Sequence, residues 1–201
     1  MIKKRSKLTL KAPGEAPDIL LHTCCAPCSS AIIERLMEHG IRPSIFFYNP
    51  NIFPKEEYER RKNECVRYLK MLGLDFMDAD YTHEKWLKSV QGLEKEPERG
   101  ARCTICFKER LTVAALYAHE QGYRVLATTL ASSRWKNLEQ IEEAGEYAVS
   151  LFPGLTFWGH NWRKDGLSER RNALVRQHGL YNQSYCGCEF SADNQRIIKM
   201  T

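Results

Sequence analysis

The chain has 201 residues, of which 43% are hydrophobic and 27% are charged, and its formal net charge at pH 7 is +5. This composition is typical of a globular domain and excludes a disordered or low-complexity chain. No apolar run approaches the roughly 18 residues that a membrane-spanning helix needs, and residues 1–11 lack the apolar segment of a signal peptide. We therefore predict a cytoplasmic protein, with a basic tail at residues 1–16 and a single domain at residues 17–201.

Strands and helices alternate along the chain. A short apolar run at residues 18–23 predicts the first strand, and apolar side chains at helical spacing predict a helix at residues 29–39. The later predicted strands are residues 44–48, 74–77, 124–128 and 155–158. The later predicted helices are residues 54–72, 82–90 (capped by Thr82), 103–121, 137–151 and 166–178. This order predicts an α/β fold of three layers, a parallel sheet with helices on both faces, whose ligands bind at the carboxyl ends of the strands.

Basic residues are concentrated in two stretches. The first precedes every acidic residue and comprises Lys3, Lys4, Arg5, Lys7 and Lys11. The second comprises Arg163, Lys164, Arg170, Arg171 and Arg176. Each stretch fits a solvated face or a nucleic-acid surface, and charge alone does not choose between them.

Eight cysteines in a chain without a signal peptide point to a metal site or to catalysis, because disulfides are rare in a reducing cytosol. Cys65 lies alone within a predicted helix, and we interpret it as a small buried hydrophobe. The other seven occur in three groups at predicted loops or helix starts: Cys24, Cys25 and Cys28; Cys103 and Cys106; and Cys186 and Cys188.

Three kinds of site would use such groups. Zinc takes four ligands, and a thiol–disulfide enzyme needs a single C-x-x-C, so both leave several cysteines without a role. An iron–sulfur cluster needs four thiolates that converge from different segments, which fits Cys24, Cys25, Cys103 and Cys106 best. Spacing alone leaves zinc and iron–sulfur both open, because thiolates suit both metals.

The loop after the first predicted strand argues against nucleotide hydrolysis. Its sequence, CCAPC at residues 24–28, has no glycine and contains a proline that lacks an N–H group. Enzymes of this fold that hydrolyse nucleotides need backbone N–H groups at this position to approach the phosphates.

Five longer segments resemble the cobalamin-independent epoxyqueuosine reductase family. They are LLHTCCAPCS at 20–29, FFYNPNIFPKEEYERR at 46–61, EPERGARCTICFKERL at 96–111, ATTLASSRWKN at 127–137 and NWRKDGLSERRNALVRQHGLYNQSYCGCEFS at 161–191. The resemblance extends over nearly the whole chain, and it implies a Rossmann-like fold similar to the adenine-nucleotide hydrolases, with a metal site at the carboxyl edge of the strands.

The resemblance also implies a reaction and its cofactors. The implied substrate is tRNA that carries epoxyqueuosine at the wobble position, and the reaction is a two-electron removal of the epoxide oxygen that gives queuosine. The implied cofactors are a [4Fe–4S] cluster and an additional iron ion, with electrons from an external donor. Two alternatives from other classes are a zinc-stabilised tRNA-binding module and a cysteine-based thiol oxidoreductase.

On this basis roles can be assigned to individual residues. We predict that the cluster is held by Cys24, Cys25, Cys103 and Cys106. The additional iron and catalysis are assigned to Cys186 and Cys188, with Asp80 as a candidate third ligand and Cys28 as either a ligand or a support. Substrate binding is assigned to residues that follow the second, fourth and fifth strands: Tyr48, Asn49, Asn51, Ser132, Arg134, Arg163 and Lys164. Trp158 and Trp162 are candidates for base stacking, and His22 and His160 are expected to be structural.

Overall fold

The computed structural model describes residues 10–183 and 185–191. Its five strands are β1 (Asp18–His22), β2 (Arg42–Phe47), β3 (Phe76–Asp78), β4 (Val125–Thr128) and β5 (Thr156–Trp158). Its six helices are α1 (Ala26–Glu38), α2 (Lys55–Leu72), α3 (His83–Ser89), α4 (Ala101–Glu120), α5 (Leu138–Ser150) and α6 (Leu167–His178). All strands pair in parallel, in the order β3-β2-β1-β4-β5.

Helices cover both faces of this sheet, as the sequence predicts. Helix α1 packs against α2 and α6, whereas α4 packs against α5. Because crossovers between parallel strands are right-handed, connections that run in opposite directions along the sheet place these two groups on opposite faces. The central strands are accordingly buried along nearly their whole length, which is the pattern of a sheet covered on both sides.

The predicted element boundaries hold to within a few residues, with one informative difference. Helix α1 begins at Ala26, three residues before the predicted start, because Pro27 occupies the first turn, where its missing N–H breaks no hydrogen bond. The Cys25 sulfur caps this helix by accepting a hydrogen bond from the Cys28 backbone N–H. The thiol loop is therefore continuous with the helix and not a separate linker.

The predicted cap at Thr82 is wrong in its chemistry. Thr82 does precede α3, but its side chain makes no hydrogen bond to the helix backbone. Its hydroxyl oxygen instead lies 2.8 Å from the hydroxyl oxygen of Tyr48, at the end of the neighbouring strand. Thr82 therefore ties the β3–α3 connection to the residue that follows β2.

The sheet has a topological switch point between β1 and β4. The chain leaves β1 towards β2, on one side, and returns later to β4, on the other side, with His22 level with Thr128 across the pair. The loops that follow β1 and β4 diverge at this point and leave a crevice, which is where open α/β sheets bind ligands.

Part of the predicted basic tail is described. Ala12 and Ala16 are buried against the core, on either side of a 3₁₀ turn at Pro13–Glu15. Residues 1–9, which carry most of the predicted basic tail, and residues 192–201 of the predicted domain lie outside the described residues. Among the residues described, no helix has the length and hydropathy required to span a membrane.

Candidate metal centre

Three thiols occupy the switch point. The sulfur atoms of Cys24, Cys25 and Cys28 all lie within 4.8 Å of one another, and those of Cys24 and Cys25 are 3.9 Å apart. The loop after β4 contributes Thr129, whose hydroxyl lies 3.8 Å from the Cys24 sulfur and accepts a hydrogen bond from the Cys24 backbone N–H. The two strands at the centre of the sheet therefore position one compact group of sulfur atoms, the β1 thiol group (Cys24, Cys25 and Cys28).

The β1 thiol group stabilises one thiolate. Hydrogen bonds with the thiols of Cys25 and Cys28 lower the pKa of Cys24 well below its usual value, and the charges of Lys136 and Arg110 act in the same direction. Burial raises the pKa of Cys25, and the hydrogen bond with Cys24 is the main cause that raises the pKa of Cys28 to about 12. The hydrogen bonds among these thiols therefore favour the charged form of Cys24, and a thiolate is a ready ligand for a soft metal.

A second set of thiols lies beside the first. Cys106, in the first turns of α4, and Cys188 are buried in one small cluster with Trp86 and Val90, and Cys186 packs against that cluster. Burial raises the pKa of Cys106 to about 11, and the charges of Cys186 and Cys103 add to this effect. We refer to Cys103, Cys106, Cys186 and Cys188 as the α4 thiol group.

The C-terminal loop that carries Cys186 and Cys188 is fixed to α2 and to the loop after β2. Arg61, only 2% exposed, donates to the backbone carbonyl oxygen of Cys186 at 3.0 Å and to the Glu57 carboxylate at 2.6 Å. The backbone N–H of Phe53 donates to the carbonyl oxygen of Gly187 at 2.9 Å. These bonds hold the Cys-Gly-Cys turn in place over the end of the sheet.

Two buried or partly buried cations lie between the thiol groups. The Lys136 ammonium is 3.8 Å from the Cys186 sulfur. Burial opposes its charge, but the electrostatic interaction with Cys186, Cys24 and Cys28 outweighs that effect and raises the pKa of Lys136 above its usual value. The charge of Arg61 likewise interacts with Cys25 and Cys186. The seven grouped cysteines thus form one electrostatically connected centre.

The structure brings the predicted cysteine ligands to one edge of the sheet, but the cysteines that lie together are not the four that were predicted to share the cluster. The compact set of candidate ligand atoms among the described residues is the β1 thiol group, which includes Cys28 and excludes Cys103 and Cys106. Asp80, the candidate third ligand of the iron, is exposed in the connection after β3 and does not belong to that set.

The predicted substrate residues after β2 are buried. Tyr48 is 3% exposed and Asn49 is 1% exposed. Asn49 donates to the Thr23 carbonyl oxygen at 2.9 Å and accepts from the Arg110 guanidinium, so it braces the loop beneath the thiols. Asn51 is buried as well, and its Oδ1 atom has no hydrogen-bond partner among the described residues.

The predicted substrate residues after β4 and β5 differ in exposure. Arg134 and Lys164 are exposed. Ser132 is partly buried and donates to the Thr129 carbonyl oxygen at 2.8 Å. Arg163 donates to the Lys136 carbonyl oxygen at 2.7 Å and to that of Ser133. Arg134 and Lys164 are therefore available to a ligand, whereas Arg163 supports the loop after β4.

Among the aromatic residues, the exposed tryptophan is not one that the sequence singled out. Trp158 and Trp162, the stacking candidates, are 9% and 2% exposed and pack edge to face. Trp135 is 60% exposed. The sequence does contain a signal for it, since Trp135 lies between Arg134 and Lys136 in the loop after a strand. The expected structural role of His22 is confirmed, because its ring is buried between the Thr128 hydroxyl at 2.8 Å and the Tyr48 carbonyl at 3.2 Å.

Comparison with known proteins identifies relatives over nearly the whole chain. The profile of the family described as Epoxyqueuosine reductase QueH matches residues 19–194. A protein of that name from Acinetobacter baylyi is 46% identical over 197 residues, which cover 98% of this chain and 90% of the relative. Others are from Haemophilus influenzae, at 44% identity over 93% of this chain and 76% of the relative, and from Thermotoga maritima, at 33% identity over 89% and 92%.

Proposed function

This chain belongs to the epoxyqueuosine reductase QueH family, and we propose that it is a cytoplasmic enzyme that reduces epoxyqueuosine in tRNA to queuosine. The observation that carries the proposal is the set of three thiols at the switch point of the sheet, together with four further cysteines that are coupled to them electrostatically. The reaction consumes two electrons and two protons: both epoxide C–O bonds break, a C=C bond forms, and the oxygen leaves as water. An external donor supplies the electrons.

The residues at the centre fit an iron–sulfur cofactor. Cysteine thiolates are the ligands of such clusters, and the hydrogen bonds within the β1 thiol group favour the thiolate form of Cys24. The pKa values of Cys25 and Cys106 are raised chiefly because burial disfavours their charged forms. A bound cation removes that penalty, which supports metal binding at this position.

Two divisions of the ligands follow from the residues. The predicted one gives the [4Fe–4S] cluster to Cys24, Cys25, Cys103 and Cys106 and the additional iron to Cys186 and Cys188. The electrostatic coupling among the cysteines supports another, in which the β1 thiol group holds one metal centre and the α4 thiol group holds the other. In either division the bound metals would supply the electrons and a Lewis acid for the epoxide oxygen.

The chain's own residues contribute charge, position and a proton. Lys136 keeps a proton on Nζ at neutral pH, so it offers a positive charge and N–H donors beside Cys186, where negative charge develops on the oxygen. Arg61 and Asn49 fix the two backbone segments that border the centre. Arg134 and Lys164, both exposed at the same edge, are proposed to contact tRNA phosphates.

An anaerobic assay of epoxyqueuosine-containing tRNA with a chemical reductant tests the function. We expect the wild-type protein to contain iron and sulfide and to form queuosine, and we expect Cys25→Ser and Cys106→Ser to lose both iron and turnover. Cys65→Ser is the matched control, since Cys65 is equally buried but belongs to the hydrophobic core. A zinc-containing protein that binds tRNA without turnover, or turnover without iron, would support one of the two alternatives instead.

The Cys186→Ser, Cys188→Ser double variant tests the division of ligands. If these residues hold only the additional iron, the variant keeps the visible absorption of the cluster, contains less iron and loses nearly all turnover. Loss of the cluster absorption would show that these cysteines ligate the cluster. Anaerobic iron quantitation beside a single-turnover assay distinguishes the two results.

A further inference from the structure

The loop at residues 133–137, which connects the 3₁₀ helix Thr129–Ser132 after β4 to α5, is fixed by two arginines. Arg99, which precedes α4, donates to the carbonyl oxygen of Trp135 at 2.8 Å and to that of Arg134 at 3.3 Å. Arg163, which follows β5, donates to the carbonyl oxygens of Lys136, at 2.7 Å, and Ser133. Four successive carbonyl groups of the loop therefore accept hydrogen bonds from guanidinium groups, and the loop is ordered without regular secondary structure.

This rigid loop presents a tryptophan to solvent. Trp135 is 60% exposed, whereas Trp86, Trp158 and Trp162 are at most 9% exposed. A large aromatic side chain is usually buried, because burial of its apolar surface is favourable. Here the hydrogen bonds to the loop backbone keep the Trp135 ring exposed to solvent. The Arg134 guanidinium lies 4.8 Å from the centre of the indole ring, within the range of a cation–π contact.

Trp135 also lies at the border of the thiol centre. The next residue, Lys136, places its ammonium 3.8 Å from the Cys186 sulfur. The loop contains Arg134 and Lys136 but no acidic residue, and both arginines that hold it add positive charge. An exposed ring among cations is the composition of surfaces that bind single-stranded nucleic acid, because every base has a face that stacks and every nucleotide has a phosphate.

We propose that Trp135 is a stacking platform for an unpaired base of the tRNA loop, next to the nucleotide that reacts, and that Arg134 contacts the adjacent phosphate. This proposal rests on the proposed function and adds to it the site that positions the RNA. Because Arg99 and Arg163 order the loop in advance, the platform binds with little loss of conformational entropy. The next residue, Lys136, reaches the Cys186 sulfur, so the platform belongs to a loop that borders the proposed reaction site.

The test measures tRNA binding by the iron-loaded protein with fluorescence anisotropy. We expect Trp135→Ala to weaken binding on the order of tenfold, Trp135→Phe to retain most of the affinity, and Arg134→Gln to lower the salt dependence by roughly one counterion. Met71→Ala is the control, since Met71 is 57% exposed in the last turn of α2, at the opposite edge of the sheet. Iron content is measured in every variant, so that loss of the cofactor is recognised.

A second measurement reports on the ring directly. Acrylamide quenches exposed tryptophans, so tRNA should protect wild-type fluorescence from quenching and should have no such effect on Trp135→Phe. If Trp135→Ala binds tRNA with wild-type affinity and also forms queuosine, this proposal is overturned and the proposed function remains intact. Failure of the wild-type protein to bind tRNA would overturn the function itself. Another result would also contradict the proposal. If Trp135→Ala binds tRNA normally and loses turnover only when a protein donor replaces the chemical reductant, the loop is a docking site for that protein.

Discussion

The Arg61 guanidinium, on helix α2, donates a hydrogen bond of 3.0 Å to the backbone carbonyl oxygen of Cys186 in the C-terminal loop. A second bond of 2.6 Å joins it to Glu57, one turn earlier in the same helix. Both side chains are nearly inaccessible to water. This buried pair on α2 therefore fixes the Cys186 loop, a part of the candidate metal centre that itself lies outside the helices and strands.

Arg61→Met should destabilise the metal-free protein by about 3–5 kcal/mol, because the buried Glu57 carboxylate loses its charged partner and keeps the neutral hydrogen bond from the Tyr181 hydroxyl. The same variant should bind less iron, since the Cys186 carbonyl loses its donor. Arg60→Met is the control: Arg60 is exposed and lies over the Tyr181 ring, so its loss should cost about 1 kcal/mol or less. Urea unfolding under reducing conditions and iron analysis are the measurements. Equal effects of the two variants would contradict the role given to Arg61.

Gly187→Ala should disturb the same contact from the other side. Gly187 has φ +87°, and a Cβ atom there would lie 2.9 Å from the Arg61 guanidinium. Gly179→Ala is the matched control, since Gly179 has φ +57° and open space around the added atom. Both variants carry the backbone cost of a positive φ, about 1 kcal/mol, but only Gly187→Ala should also lose iron. Iron bound per protein after anaerobic reconstitution measures the difference.

His22 should make stability depend on pH. Burial, assisted by the charge of Arg110, lowers the pKa of His22 to about 3, whereas an unfolded histidine has a pKa near 6.5. Between these values the unfolded chain binds a proton that the native protein does not, so stability rises with pH across this range and is lost as pH falls. The expected contribution is about 1.4 kcal/mol per pH unit between pH 6 and pH 4.

His22→Gln should therefore flatten the dependence of unfolding free energy on pH in that interval, whatever its effect on stability at pH 7. His119→Gln is the control, because His119 is exposed at the end of α4 and its replacement should leave the wild-type slope. Urea titrations of the metal-free protein at several pH values give the slopes. Parallel profiles for wild type and His22→Gln would show that His22 is not the group responsible.

Lys164 and Arg170 belong to one basic stretch of the sequence but should behave differently. Arg170 forms a two-pronged ion pair with Glu34 on α1, so Arg170→Gln should affect stability and leave the salt dependence of tRNA binding unchanged. Lys164 is exposed beyond β5, and Lys164→Gln should reduce the slope of log K against log salt by roughly one. Arg42→Gln, at the amino edge of the sheet, is the control for a general loss of charge. A wild-type slope in Lys164→Gln would show that Lys164 makes no phosphate contact and is an ordinary solvated side chain.

The sequence predicted the fold well for a physical reason. Parallel strands buried on both faces, such as β1 and β4, are short continuous apolar runs, and the helices between them carry apolar stripes with a different period. The cysteine spacing likewise predicted that thiols would gather at the carboxyl edge of the sheet. These features depend on neighbours in sequence, so one chain is sufficient to find them.

The remaining parts depend on contacts between distant segments. Arg61 and Glu57 follow the spacing of an ordinary exposed ion pair in a highly charged helix, and only the packing of the C-terminal loop buries them. Trp162 precedes Arg163 and Lys164, much as Trp135 lies between Arg134 and Lys136, yet the core covers Trp162. The grouping of Cys28 with Cys24 and Cys25 follows from the early start of α1, which is set by Pro27.

The hydrogen bond between Arg61 and Cys186 also has a consequence for the order of events during biosynthesis. Cys28 lies in the first turn of α1, and strands β2–β5 and helices α2–α6 separate it from Cys186, so a ribosome delivers the first three thiols well before the last two. At about 5–20 residues per second, the interval is roughly 8–30 seconds. The complete set of sulfur atoms exists only once the Cys-Gly-Cys turn has bound to α2. Under the proposed function, full loading of the metal centre therefore follows synthesis of this loop, and a shorter nascent chain carries an incomplete set of thiols.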